Sequence, residues 1–186
     1  MHPTDALPAM DRRALLRTAM LLVGGSLAGL PADALAQARG AARFFTPAQF
    51  ATLAETADTI IPRTDTPGAK DAGVPQFLDS LMSAWASKER QAQFRKLIGE
   101  IDAAALAAGG KPLAKLTPAK RLEVVRAFDA EKLNARDPVY TKFKELVMTL
   151  YYLSEAGATK ELRYELIPGK WEPGIEMKTD TRAWAV

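Results

Sequence analysis

The chain has no cysteine and a single histidine, His2, next to the first methionine. Without cysteine there is no disulfide, no thiolate zinc site, no Cys-ligated iron–sulfur cluster, no covalently attached c-type haem and no Cys nucleophile. If the N-terminus is removed, no imidazole remains. That takes away the commonest general base and the commonest transition-metal ligand, and with them any Ser/His/Asp triad. Walker-type GxxxxGK[ST] and Rossmann GxGxxG patterns are missing, so no phosphate or dinucleotide cradle is signalled. No cluster of five basic residues supports nucleic-acid binding. No stretch alternates like a strand for long, and no internal repeat is visible. Only carboxylates, Lys, Tyr, Ser and Thr are left to do chemistry, which argues against an independent hydrolase or redox carrier.

What is present is ordinary for a globular protein. The 186 residues include 25 Lys+Arg and 22 Asp+Glu, and 48% are hydrophobic. That length suits one domain with one core.

The N-terminus has a different composition. Asp11-Arg12-Arg13-Ala14-Leu15-Leu16-Arg17 precedes an apolar stretch from Thr18 to Leu30, followed by small residues through Ala38. Basic, apolar, then small-x-small is the order of a secretory signal, with the cut expected after Ala36 or Ala38. Arg12 and Arg13 resemble the twin-arginine export signal. Asp11 and Leu15 depart from its usual Ser/Thr and Phe. The three glycines Gly24, Gly25 and Gly29 suit that route. A retained anchor is the other reading, but the 13 apolar residues from Thr18 to Leu30 span only about 20 Å of the ~30 Å hydrocarbon core. Residues 1–38 are therefore expected to be a cleaved leader and 39–186 the working domain, exported to the periplasm. Twin-arginine export carries folded proteins, often with an inserted cofactor, and this chain shows no cofactor site of its own. The leader is then expected to serve either a fast-folding chain or a partner that holds the cofactor.

Helical signals follow one another along the domain. Thr46-Pro47 with Gln49 is a capping box, and Phe45 with Phe50 fits a hydrophobic staple. Phe50, Leu53, Ala57 and Ile60 then recur at helical spacing. Residues 62–74 hold two prolines and two glycines, which breaks regular structure and makes an unusually long connection. A second helix is predicted from Pro75 to about Trp85, using Phe77, Leu78, Leu81, Met82 and Trp85. A third runs from the Ser87 cap to about Ala108, with Phe94, Leu97, Ile98 and Ile101 inward, and Gly109-Gly110 stops it. Thr117-Pro118 starts a fourth with Leu122, Val125 and Phe128 inward. Asp137-Pro138 starts a fifth with Tyr140, Phe143, Val147, Leu150 and Tyr151 in register. Arg163 to Ile167 has the pattern of one short strand. The prediction is an all-α, single-domain bundle of about five helices with an irregular aromatic C-terminal arm. That arm, from Tyr151 to Val186, carries Tyr152, Tyr164, Trp171 and Trp184 among Gly/Pro turns. It suits either a surface that lies on a partner or a strap on its own bundle.

Candidate chemistry is thin. Asp65 and Asp71 lack EF-hand spacing and read as turn formers. Glu55 and Asp58, one helical turn apart, can do acid–base work only in a cleft, and a solvated helix face is the expected setting. Lys88-Glu89-Arg90 and Lys142–Lys144 likewise read as solvated faces.

Three stretches together carry a family resemblance. They are Ala57-Asp58-Thr59-Ile60-Ile61-Pro62 running into Asp65-Thr66-Pro67-Gly68-Ala69 and Asp71-Ala72-Gly73-Val74; then Tyr151-Tyr152-Leu153-Ser154-Glu155; then Leu162-Arg163-Tyr164 with Pro168-Gly169. In this order behind such a leader, over roughly residues 44–175, they resemble the gluconate 2-dehydrogenase subunit 3 family. The resemblance implies a non-catalytic small helical subunit in the periplasm. Its partner would be the large FAD-bearing subunit of a membrane-associated or periplasmic dehydrogenase that oxidises a sugar, glycoside or aldonic acid, often alongside a multihaem cytochrome c subunit, so that the chain sits peripheral to the inner membrane through its complex. It implies no cofactor in this chain, and a role as escort that helps the flavin subunit mature and lends it an export signal. Family tails often carry cysteine; this one does not, so a covalent link to a partner is excluded. Carried over by motif position, the interface candidates are Asp58, Pro62, Asp65, Thr66, Pro67, Gly68, Asp71, Gly73, Tyr152, Ser154, Glu155, Tyr164, Pro168 and Gly169. The competing reading is a free-standing periplasmic ligand-binding or chaperone protein. An independent enzyme using Asp58 or Glu55 is a third.

Overall fold

Four of the five helices begin where a short polar side chain holds their first free N–H groups. The computed structural model describes residues 44–163, 174, 176–178 and 181–183. Five α-helices run in order: α1 (Pro47–Ile60), α2 (Val74–Ala84), α3 (Lys88–Gly109), α4 (Pro118–Asn134) and α5 (Pro138–Tyr152). A 3₁₀ turn (Leu113–Lys115) joins α3 to α4, and a π-turn (Gly157–Glu161) follows α5. Thr46 and Gln49 form both halves of the capping box. Ser87, Thr117 and Asp137 accept from the N–H groups of Arg90, Lys120, and Val139 with Tyr140. These bonds satisfy donors that a helix start otherwise leaves open. The exception is α2, which Gly73 enters at φ 75°; Gly110 closes α3 at φ 65°, and both are left-handed positions that favour glycine.

α3 is the central element and touches all four other helices. Its stripe Phe94, Leu97, Ile98, Ile101 and Ala105 is buried. Against it lie Leu53 and Ala57 of α1, Leu78 and Met82 of α2, Val124, Val125 and Phe128 of α4, and Tyr140, Phe143, Val147, Leu150 and Tyr151 of α5. Edge-to-face ring pairs Phe94–Phe143 (6.1 Å) and Phe128–Tyr140 (5.5 Å) fix α5 against α3 and α4. Burial, followed by a hydrogen bond to Asp129, pushes the Tyr140 hydroxyl above its ordinary range.

The predicted all-α bundle is thus present, and no strand occurs among the described residues. Two expectations are corrected. Leu122 faces out, because the inward register of α4 passes through Arg121, Val125 and Phe128, and Arg121 turns to Glu55 of α1. Trp85 is exposed where α2 ends. Of the expected short strand only Arg163 is among the described residues, its N–H donating to the Ala183 carbonyl at 2.8 Å; residues 164–167 lie outside them.

Candidate partner-facing site

The loop between α1 and α2 is held closed by its own polar groups. The Ala69 N–H donates to the Ile61 carbonyl (2.9 Å), and the Val74 N–H to the Ala69 carbonyl (3.0 Å). Asp71 accepts from the Gly68 N–H at 3.0 Å and takes the Arg63 guanidinium in a two-point pair of 2.8 and 2.6 Å. The Arg63 bond, then the Gly68 N–H, hold the Asp71 carboxyl below its ordinary pKa. Asp58 reaches back from α1 to accept from the Lys70 N–H at 3.2 Å. A Cβ at Gly68 would sit 2.7 Å from the Arg63 backbone nitrogen and 3.1 Å from the Ile61 carbonyl oxygen, so only glycine fits the crossing.

The expected solvated face of Glu55 and Asp58 is not what forms. Lys70 Nζ lies 3.0 Å from Glu55 and 3.3 Å from Asp58, and Arg121 of α4 donates to Glu55. Partial burial opposes the Lys70 charge, but the hydrogen bond from Lys70 to Glu55 and the attraction of Asp58 outweigh it, and its pKa rises. Salt-bridged to a lysine and an arginine, Glu55 ties the loop, α1 and α4 together.

The first two family-like stretches are brought into contact through residues 84 apart in the chain. The Tyr151 hydroxyl donates to the Pro67 carbonyl at 2.8 Å. The Thr66 hydroxyl donates to Glu161 of the π-turn at 2.7 Å. Burial raises the Tyr151 pKa; the Thr66 hydroxyl opposes this and Glu161 adds to it. Below Tyr151 the chain turns sharply. Ser154 donates to the Tyr151 carbonyl (2.6 Å) and accepts from the Gly157 N–H (3.1 Å). A Cβ on Gly157 would stand 2.1 Å from the Tyr151 carbonyl oxygen.

The interface candidates therefore separate into groups. Asp58, Thr66, Pro67, Gly68, Asp71, Gly73 and Ser154 take part in internal bonds or turns. Pro62 and Asp65 lie exposed on the outer rim of the loop, and Tyr152 and Glu155 are exposed beyond it. Tyr164, Pro168 and Gly169 lie outside the described residues, as do Arg12, Arg13, Ala36 and Ala38. Leu106, Leu133, Met148 and Met177 are exposed apolar residues that the sequence did not single out, and Leu153, quoted only within the second stretch, is exposed as well. For Met148 the signal was there: α5 shows Thr141, Lys142 and Glu145 in its first turns, then Met148 and Tyr152 in its last, on one outward arc.

Among the described residues no group of three or more His, Cys, Asp or Glu is placed to hold a metal ion, and no helix is long and apolar enough to cross a membrane. Glu55, Asp58, Asp71 and Glu161 already face cations, hydroxyls or backbone N–H groups. The fold and site define a small all-α bundle in which two distant motif stretches are strapped together. The chain belongs to the gluconate 2-dehydrogenase subunit 3 family, whose model matches residues 47–169. By that description it belongs with the other subunits of a dehydrogenase complex. Neither curated proteins nor solved structures yield a match.

Proposed function

We propose that this chain is the non-catalytic small subunit of a periplasmic FAD-dependent dehydrogenase that oxidises a sugar, glycoside or aldonic acid. It escorts the flavin subunit, helps it mature, and supplies its export signal; a cytochrome c subunit completes the electron path. The observation that carries the reading is the family match across residues 47–169. Two physical points support it. The site's carboxylates are engaged in holding the fold, so they are poorly placed for acid–base work. The leader carries Arg12 and Arg13, and a folded pair of subunits needs only one such leader to leave the cytoplasm.

The test is affinity capture of the C-terminally tagged chain from a periplasmic extract of its host, read by mass spectrometry and flavin absorbance. A stoichiometric large chain carrying flavin is expected. Arg12→Lys with Arg13→Lys is expected to leave both chains in the cytoplasm. Recovery of a colourless monomer, with the flavoprotein exported in its absence, overturns the escort reading.

A further inference from the structure

We propose that residues 64–67 form a releasable strap over the Tyr151 hydroxyl, with Thr66 and Glu161 as its catch, and that the strap lifts while the rest of the α1–α2 loop stays shut. This goes beyond the subunit role and does not rest on it.

Two separate sets of bonds hold the loop. The first closes its neck. The Ala69 N–H donates to the Ile61 carbonyl at 2.9 Å, the Lys70 N–H donates to Asp58 at 3.2 Å, and Asp71 takes both the Gly68 N–H and the Arg63 guanidinium. All of these partners lie between Asp58 and Asp71, so the neck closes on local contacts alone. Ala69 and Val74, at its base, are fully buried in the core.

The second set holds the tip and reaches far along the chain. The Thr66 hydroxyl donates to Glu161, 95 residues away, at 2.7 Å. The Tyr151 hydroxyl donates to the Pro67 carbonyl, 84 residues away, at 2.8 Å. Within the tip the Thr64 N–H donates to the Thr66 carbonyl at 3.1 Å, so the turn can move as one piece. Residues 62–65 are exposed, and among the described residues the apolar core takes no side chain from 62–68. A segment with few buried apolar contacts and a few polar bonds opens at far lower cost than the bundle around it.

The catch and the group beneath it differ. Thr66 and Glu161 are half-buried, so water can replace either partner when their bond breaks. Tyr151 is 2% exposed and its ring is part of the core; only its hydroxyl is bonded to the strap. Lifting the strap therefore leaves the ring in place and opens its hydroxyl edge. That edge lies beside Tyr152, which is 44% exposed and meets the Tyr151 ring edge-to-face at 5.4 Å. The device switches the end of α5 between one accessible phenol and two.

Nitration by tetranitromethane reads this change, because the reagent attacks the ring carbons beside a phenol hydroxyl. The purified full chain is treated under native conditions as wild type, Thr66→Val, Glu161→Ala and Glu161→Gln. Fragment masses then resolve Tyr140, Tyr151 and Tyr152. Tyr152 is the exposed reference. Tyr140, 1% exposed and bonded to Asp129 within the bundle, reports general loosening. Thr66→Val and Glu161→Ala are expected to raise Tyr151 nitration on the order of tenfold over wild type, with Tyr140 unchanged. Glu161→Gln keeps an acceptor for Thr66 and is expected to stay close to wild type. Tyr151 nitration at wild-type level in both Thr66→Val and Glu161→Ala overturns the strap. So does a rise at Tyr151 matched by Tyr140, which assigns the two bonds to the stability of the whole bundle and not to a part that moves alone.

Discussion

Gly157 and Gly99 show how differently one residue type is constrained in this bundle. At Gly157 a Cβ would lie 2.1 Å from the Tyr151 carbonyl oxygen and 2.9 Å from the Tyr152 Cα, both backbone atoms that cannot swing away. At Gly99, in the exposed middle of α3, a Cβ meets nothing within 4 Å. Gly157→Ala is expected to lower stability by roughly 1–3 kcal/mol, as forced overpacking does. Gly99→Ala is expected to raise it by about 0.5–1 kcal/mol, because alanine leaves less backbone entropy to lose in a helix. Urea unfolding of the two variants at constant slope tests the pair, and shifts of the same sign in both would sink the argument. The density of Pro, Gly and Asp in the α1–α2 loop was legible from the residues alone. The particular crossing that demands glycine at Gly68 was not, because it depends on where the Arg63 backbone returns. Gly157 carried no signal, since its neighbour in space is the end of a helix whose stopping point the residues only bracket.

Helix starts were the most legible elements. A cap bond closes within three residues, so Thr46, Ser87, Thr117 and Asp137 could be read without knowing the fold. Side-chain direction was less legible wherever a distant partner decides it. Leu122 faces out because Arg121 has its own partner on α1, and Asp79 is buried because it receives backbone N–H groups from residues 34 and 35 positions away. Glu55 and Asp58 looked like a wet face for the same reason. The Asp137 cap makes a prediction about acid. The Tyr140 N–H, then the Val139 N–H and Lys132, hold its carboxyl below the ordinary range, against burial that pushes it up; Asp71 is lowered likewise by Arg63. A carboxylate whose folded pKa is depressed contributes stability that is complete above its unfolded pKa of about 4 and is lost as pH falls through the folded value. His2 is the only histidine, so the urea midpoint of a chain beginning at Arg39, which has none, is expected to stay level from about pH 7 to about pH 5 and to fall below about pH 4. Asp137→Asn keeps a cap acceptor while removing the titration, and is expected to flatten part of that fall. An acid limb of wild-type steepness in Asp137→Asn would show that Asp137 contributes nothing to it.

At the scale of the whole molecule the question is where the folded unit begins. Composition divides the chain near residue 38, and the family match starts at Pro47. Between them the structure shows a clamp on Phe44 and Phe45. Asp79 of α2 accepts from the Phe45 N–H at 2.9 Å and the Phe44 N–H at 3.3 Å. Arg95 of α3 stacks 4.1 Å from the centre of the Phe44 ring and donates to the Phe44 carbonyl at 3.1 Å. Phe45 is fully buried and its ring meets that of Phe44 edge-to-face. Two residues thus join the start of α1 to both α2 and α3, and a buried carboxylate depends on their N–H groups. A chain beginning at Arg39 keeps all of these contacts. A chain beginning at Thr46 keeps every helix and the Thr46 side chain, yet it loses a buried aromatic and strands Asp79 without its donors. Loss of the ring alone costs about 3–5 kcal/mol, and the unpaired carboxylate adds to that. The two truncated chains are therefore expected to differ widely in urea midpoint, with Asp79→Ala in the longer one lying between them. Equal midpoints for the two starts would mean that the clamp adds nothing and that the bundle is complete from α1 onward. A wide gap would show that Phe44 and Phe45 belong to the folded domain, ahead of the first residue of the family match.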